Sequence, residues 1–311
     1  MNNKKKILIA LSVVICVSYL SVSKYIPNVF NKSVNIAYYT DANYLPYMMT
    51  SLYSAIKNKN KDSIYNVYVV AKDFNDSSRQ KLNLMASKDV MINIVEAREK
   101  TLDYNHLGRF SSFRTAMQKI FISDYLKDVD KVLYLDADTL VQQDLTQLYN
   151  KDISGKYLAA TKDGLMYQFP EHITEIGLDW RRFYFNSGVM LLNLKQMRTD
   201  NIVSRAIRYF NSNQEVFGDQ DILNVVVGEK LAPLSYLYNC NSTFFEEKDA
   251  EFLSEFYEET VYRTTREVYD NATILHFAGH KPWTEWFTHS YLKPLWHEYN
   301  KEMITTYNIK P

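Results

Sequence analysis

Hydrophobic positions in the first half of the chain switch repeatedly between a period of two and a helical period. Residues 34–40, 63–71 and 90–95 are short runs rich in Val, Ile and Tyr, the signature of strands. Between them, 44–56 and 77–85 carry apolar residues at helical spacing. Met117, Ile120, Phe121, Tyr125 and Leu126 continue that spacing, and Ser111 or Ser112 is the expected cap of their helix. The helix leads into Lys131-Val-Leu-Tyr-Leu135, which reads as a buried strand. Beyond it the pattern is less regular. Residues 182–193 read as a second buried strand, 195–210 as an amphipathic helix and 273–277 as a short strand. Residues 290–307 read as a helix broken at Pro294. Gly218-Asp219-Gln220-Asp221 opens another helix, with acidic residues well placed in its first turn. Strands alternating with helices predict an α/β fold with a mostly parallel, right-handed crossover sheet.

Composition narrows the function. With 46% hydrophobic residues in 311, the chain can bury a sizeable core. Thirty-six basic and thirty-six acidic residues cancel, which argues against a nucleic-acid partner. Tyr (25) and Phe (16) are abundant; they suit a cleft that stacks on bases or sugars, although aromatic cores are the commoner use. Cys16 and Cys240 lie in different regions and form no disulfide framework. Lys4-Lys5-Lys6 precedes residues 7–23, which carry no charge. This predicts a single-pass, type II-like membrane anchor helix with the lysines in the cytoplasm. A cleaved signal peptide is the alternative, because Ser21-Val22-Ser23 is small-x-small. The expected organisation is therefore a basic tail (1–6), an anchor (7–23), a linker (24–33) and a catalytic domain (34–311). No glycine-rich loop follows the first strand, which excludes dinucleotide and Walker fingerprints.

The candidate chemistry centres on Asp136-Ala-Asp138. Alternate residues of a strand share a face, so the two carboxylates are expected to converge at the strand's carboxyl end. Ligands bind there in open α/β sheets. Adjacent carboxylates repel unless a cation sits between them, and a divalent metal is the usual answer. Asp-x-Asp by itself is nonetheless common by chance. A metal-dependent hydrolase or nucleotidyltransferase could use the same pair, and a carbohydrate-binding protein without activity is the non-enzymatic reading.

Further patches follow in order: Asn186-Ser-Gly188, Asp219-Gln220-Asp221 and His276-Phe-Ala-Gly279-His-Lys281-Pro-Trp283, with the turn Asp41-Ala-Asn43-Tyr44 upstream. Taken together, they resemble glycosyltransferase family 8, from about residue 34 to Trp286. The resemblance implies a Rossmann-like GT-A nucleotide-diphospho-sugar transferase fold and a retaining, metal-dependent hexosyltransferase. It would move glucose or galactose from a UDP-hexose donor to a saccharide or glycolipid acceptor. The spacing of Trp283 and Trp286 is similar to that of the lipopolysaccharide branch.

The roles implied by the resemblance are specific. Asp136, Asp138 and His276 would be metal ligands, for Mn²⁺ or alternatively Mg²⁺; the imidazole suits Mn²⁺ better. Lys281 and the backbone near Gly279 would meet the leaving diphosphate. Asp41, Asn43 and Tyr44 would hold the nucleoside, Asn186 and Gly188 would line the sugar pocket, and Asp219 would bind donor-sugar hydroxyls. Gln220 would lie beneath the anomeric carbon. Lys119 stands where the family commonly has an arginine that contacts the donor; it keeps the charge and loses the fork.

Overall fold

Strand β1 (Ser33–Asp41) lies in the interior of a seven-stranded sheet and shows how the chain makes two cores from one pattern. Val34, Ile36 and Tyr38 face one side, while Ala37 and Tyr39 face the other. Both sides are covered, so the strand reads as a nearly continuous apolar run. The computed structural model describes residues 32–98, 102, 114–164, 169–179, 183–212, 216, 218–242 and 250–309. All belong to one unit, Lys32–Pro311.

The remaining strands of this sheet are β2 (Ile64–Lys72), β3 (Val90–Glu96), β4 (Lys131–Leu135), β6 (Leu158–Lys162), β7 (Phe185–Asn193) and β8 (Leu231–Leu234). Their order is β3-β2-β1-β4-β7-β6-β8. Every pairing is parallel except the two made by β7, which runs against β4 and β6. A smaller sheet has the order β5-β10-β9, from Thr139–Val141, Ile274–His276 and Cys240–Asn241. The mostly parallel sheet is as expected. The short strands β5, β6, β8 and β9 are additions; β6 is Ala-rich and β8 carries Pro233, a composition that hides a strand and suits the sheet edge where β8 lies.

The buried strand is Lys131–Leu135 as expected, and Asp136-Ala-Asp138, just beyond its end, is a turn linking the two sheets. Two local expectations are corrected. The helix expected over 195–210 is two helices, Leu194–Thr199 and Ile202–Ser212, divided at Asn201, whose φ is 53°. Pro294 does not break the last helix, Leu292–Tyr307; it sits in the first turn, where the missing N–H has no partner to lose. The segment before β4 is helical with a 3₁₀ turn at Gln118–Phe121, and its expected caps Ser111 and Ser112 lie outside the described residues.

The expected membrane anchor is also corrected. Among the described residues no helix is long and apolar enough to cross a membrane. The longest, Leu292–Tyr307, has 16 residues, short of the roughly 20 that a bilayer requires. Membrane attachment and a single-pass location are therefore withdrawn; residues 7–23 lie outside the described residues.

Candidate functional site

The sheet topology brings distant segments to one edge. Strands β1 and β4 are parallel and end there at Asp41 and Leu135, while the antiparallel β7 begins there with Asn186-Ser-Gly188. The helix Asp219–Val227 points its first turn at the same place. A cleft of about 860 Å³ results, and every site residue named from sequence lines it: Asp41, Asn43, Tyr44, Lys119, Asp136, Asp138, Asn186, Gly188, Asp219, Gln220, His276, Gly279 and Lys281. It lies at the carboxyl ends of the parallel strands, the usual ligand position of such sheets.

Asp136, Asp138 and His276 form the cluster fit for a metal, with ligand atoms all within 4.8 Å of one another. The fit has a structural basis. His276 closes β10, which pairs antiparallel with β5 immediately after the Asp136-Ala-Asp138 turn. The Phe277 N–H then donates to the Asp138 carbonyl at 3.0 Å, tying the two segments together. His276 Nε2 lies 3.4 Å from Asp138 Oδ1. Gly188 makes room for the ring: a Cβ there would lie 2.1 Å from His276 Cε1. Carboxylate and imidazole donors together suit a divalent transition metal.

Two lysines balance these carboxylates. Lys281 donates to Asp138 and to the Phe277 carbonyl (2.9 Å); Gly279, at φ 90°, lets the intervening loop turn back. Burial works against the Asp138 carboxylate, but Lys281 and His276 outweigh it and hold its carboxyl well below the usual range. Lys119, only 4% exposed, donates to both oxygens of Asp136 at 2.8 and 2.9 Å and lies 3.3 Å from Asp219 Oδ2. Burial disfavours the Lys119 charge, yet Asp136 and Asp219 together keep its pKa above the ordinary lysine value. This lysine thus spans two carboxylates as a point charge where a guanidinium would offer a fork. The Arg114 side chain, a conceivable substitute, lies outside the described residues.

The turn after β1 is built by Asp41, whose Oδ1 accepts from the N–H groups of Asn43 (3.0 Å) and Tyr44 (2.9 Å). Asn43 is exposed, and so is the Tyr44 ring, edge-on to Trp283 at 6.1 Å. Trp283 itself stacks on Tyr47 at 3.9 Å, whereas Trp286 is exposed.

Across the cleft, Gln220 is held at both ends of its amide. Its Oε1 accepts from the Ser187 N–H at 3.0 Å, and its Nε2 donates to Asp163 Oδ2 at 3.0 Å. Ser187 Oγ donates to Asp219 at 2.7 Å. Burial raises the Asp219 carboxyl above the usual value, and Lys119 offsets this only in part. Asp221 has both oxygens engaged: Tyr184 donates to Oδ1, and His172 Nε2 lies 2.8 Å from Oδ2. Asp163, Ser187 and Tyr184 also line the cleft and were missed from sequence. Asp163 is a buried carboxylate at the end of the unpredicted β6; recognising β6 would have placed it at the ligand edge.

Comparisons with known proteins agree with this geometry. The sequence profile of Glycosyl transferase family 8 matches residues 35–287. A provisionally named glycosyltransferase of Haemophilus influenzae is 30% identical over 224 residues, 68% of this chain and 65% of that protein. Lipopolysaccharide 1,2-glucosyltransferase of Escherichia coli (strain K12) is 28% identical over 261 residues, covering 82% of this chain and 74% of that one. The crystal structure of the galactosyltransferase LgtC has a similar fold, with a TM-score of 0.68 at 22% identity over 86% of this chain and 96% of LgtC. The chain belongs to glycosyl transferase family 8 and is a glycosyl-transferring enzyme of the metal-dependent, nucleotide-sugar type.

Proposed function

We propose that the chain transfers a hexose, glucose or galactose, from a UDP-sugar to a saccharide or glycolipid acceptor with retention of configuration. The observation that carries the reading is the convergence of segments from Asp41 to Lys281 on one cleft, with the Asp136/Asp138/His276 cluster in its wall. The glucosyl- and galactosyltransferase names of two proteins it resembles support a hexose donor.

In this reading the exposed Tyr44 ring and the Asp41–Asn43 turn receive the nucleoside. Asp136, Asp138 and His276 would hold Mn²⁺, which would supply charge neutralisation for a diphosphate leaving group. Lys281 adds a positive charge on the same side, where negative charge builds as the glycosidic bond breaks. Asn186 and Asp219 face the sugar hydroxyls. Gln220, its amide fixed by Ser187 and Asp163, offers its carbonyl oxygen to the developing positive charge at the anomeric carbon. The acceptor hydroxyl attacks from the face the nucleotide leaves, and the departing phosphate oxygen takes its proton. Tyr184 and His172 hold both oxygens of Asp221, which favours a supporting role for it beneath the sugar site.

The test is release of UDP from a panel of UDP-hexoses, with Mn²⁺ and with chelator, followed by proton NMR of the product. Turnover that requires the metal and yields an α-linked product from an α-linked donor is expected. Phosphoester hydrolysis in place of transfer, or a β-linkage, would overturn the reading. Within the same assay Gln220→Ala should lose about one to three orders of magnitude in kcat, the scale of one transition-state dipole. Complete loss would point instead to an obligatory covalent role.

A further inference from the structure

Asn239 belongs to none of the sequence motifs and does not line the cleft, yet it touches the metal cluster from behind. It follows the 3₁₀ turn Tyr236–Tyr238 and precedes β9, which pairs with β10 and so brings it beside His276. Its side chain is 2% exposed, among Asn186 (8%), Asp163 (5%) and His276 (3%).

Hydrogen-bond chemistry fixes every orientation in this group. The backbone N–H of Gly188 can only donate, and it reaches Asn186 Oδ1 at 2.9 Å. The other end of that amide, Nδ2, donates to Asp163 Oδ2 at 2.8 Å. Asn186 therefore offers Asn239 only an oxygen, and Asn239 must answer with its NH₂, at 2.9 Å. The Asn239 carbonyl is left facing His276 Nδ1 at 2.9 Å. A carbonyl cannot donate, so Nδ1 carries the proton. In the neutral ring Nε2 then bears the lone pair, and Nε2 is the nitrogen that faces Asp138.

We propose that Asn239 is a positioning residue: anchored through Asn186 to the Gly188 N–H and Asp163, it selects the Nδ1–H tautomer of His276 and so presents Nε2 to the metal. The proposal rests on the metal-site reading above only for its second half, because the tautomer is a property of the chain alone. Outer partners of this kind orient a ligating imidazole and raise its basicity. The same Asp163 oxygen also accepts from Gln220 Nε2. One short relay thus joins the metal ligand to the residue proposed beneath the anomeric carbon.

The experiment is nitrogen NMR on metal-free protein labelled at histidine, with His276→Ala identifying the resonance, and a Mn²⁺ titration read by electron paramagnetic resonance. In its neutral form, wild-type His276 should carry its proton on Nδ1 and leave Nε2 bare. Asn239→Leu should lose the single tautomer and bind Mn²⁺ about 10- to 100-fold more weakly, with an unchanged circular dichroism spectrum. Asn239→Asp keeps an acceptor at Nδ1 but loses the NH₂ that anchors it to Asn186, so it should keep the tautomer and recover only part of the affinity. A neutral His276 protonated on Nε2 in wild type, or wild-type Mn²⁺ affinity in folded Asn239→Leu, overturns the proposal. The Nδ1–H form in a wild-type protein that binds no Mn²⁺ would uphold the relay while rejecting the metal reading.

Discussion

Asp138→Asn is expected to reduce transfer by about three orders of magnitude or more and to weaken Mn²⁺ binding, while the domain stays folded. The size follows from removing several kcal/mol of charge stabilisation at a metal-dependent centre, at about 1.4 kcal/mol per tenfold in rate. Asp138 is buried among His276 and Lys281, so its charge has no substitute. The fold survives because asparagine keeps an oxygen for Lys281 and because the turn is held by backbone, through Phe277 N–H to the Asp138 carbonyl. Initial rates, a Mn²⁺ titration and circular dichroism check the three parts. Near-normal turnover in this variant would remove Asp138 from the metal site.

Gly188→Ala should be nearly as severe, although one methyl group is all it adds. The new Cβ would meet His276 Cε1 at 2.1 Å and both ring nitrogens at 2.8 Å. The strand cannot yield, since β7 lies between β4 and β6 and the Gly188 carbonyl accepts from Asp136 N–H at 2.8 Å. The imidazole must therefore move, giving up both its place in the cluster and its bond to Asn239. We expect at least a hundredfold loss in kcat/KM, weaker Mn²⁺ binding and a stability cost of about 1–3 kcal/mol, typical of overpacking. Gly218→Ala is the contrast: its φ of 172° is extended and a Cβ there meets nothing within 4 Å. It should change stability by no more than about 0.5 kcal/mol. Wild-type metal affinity in Gly188→Ala would show that the ring has another place to sit.

The contrast between these positions reflects what a sequence can carry. Asp136 and Asp138 stand out as paired carboxylates after an apolar run, His276 and Lys281 only through the family resemblance, and all four do meet in the cleft. The parallel β1-β2-β3 half was legible because its strands are long and rich in Val, Ile and Tyr. The reversal of β7 was not, because a strand buried on both faces reads the same in either direction. An acidic turn at Asp136 is a natural reading of the sequence, but the exchange of one sheet for the other there is not, since the apolar run shows no mark of it. Gly188 was read as part of a sugar-pocket turn; only the approach of a ring from residue 276 reveals its packing role. Asp163 and Asn239 escaped notice because each follows a short element with weak local preference, β6 and a 3₁₀ turn.

The paired lysines have a consequence for how such an enzyme lives with its ion. In many small metalloproteins the cation is the glue, and folding waits for it. Here the repulsion among Asp136, Asp138 and Asp219 is already answered by Lys119 and Lys281, ammonium groups encoded in the chain. The scaffold carries its own counterions, so on the metal-site reading folding should not wait for the ion, and a chelator should remove activity while leaving the fold in place.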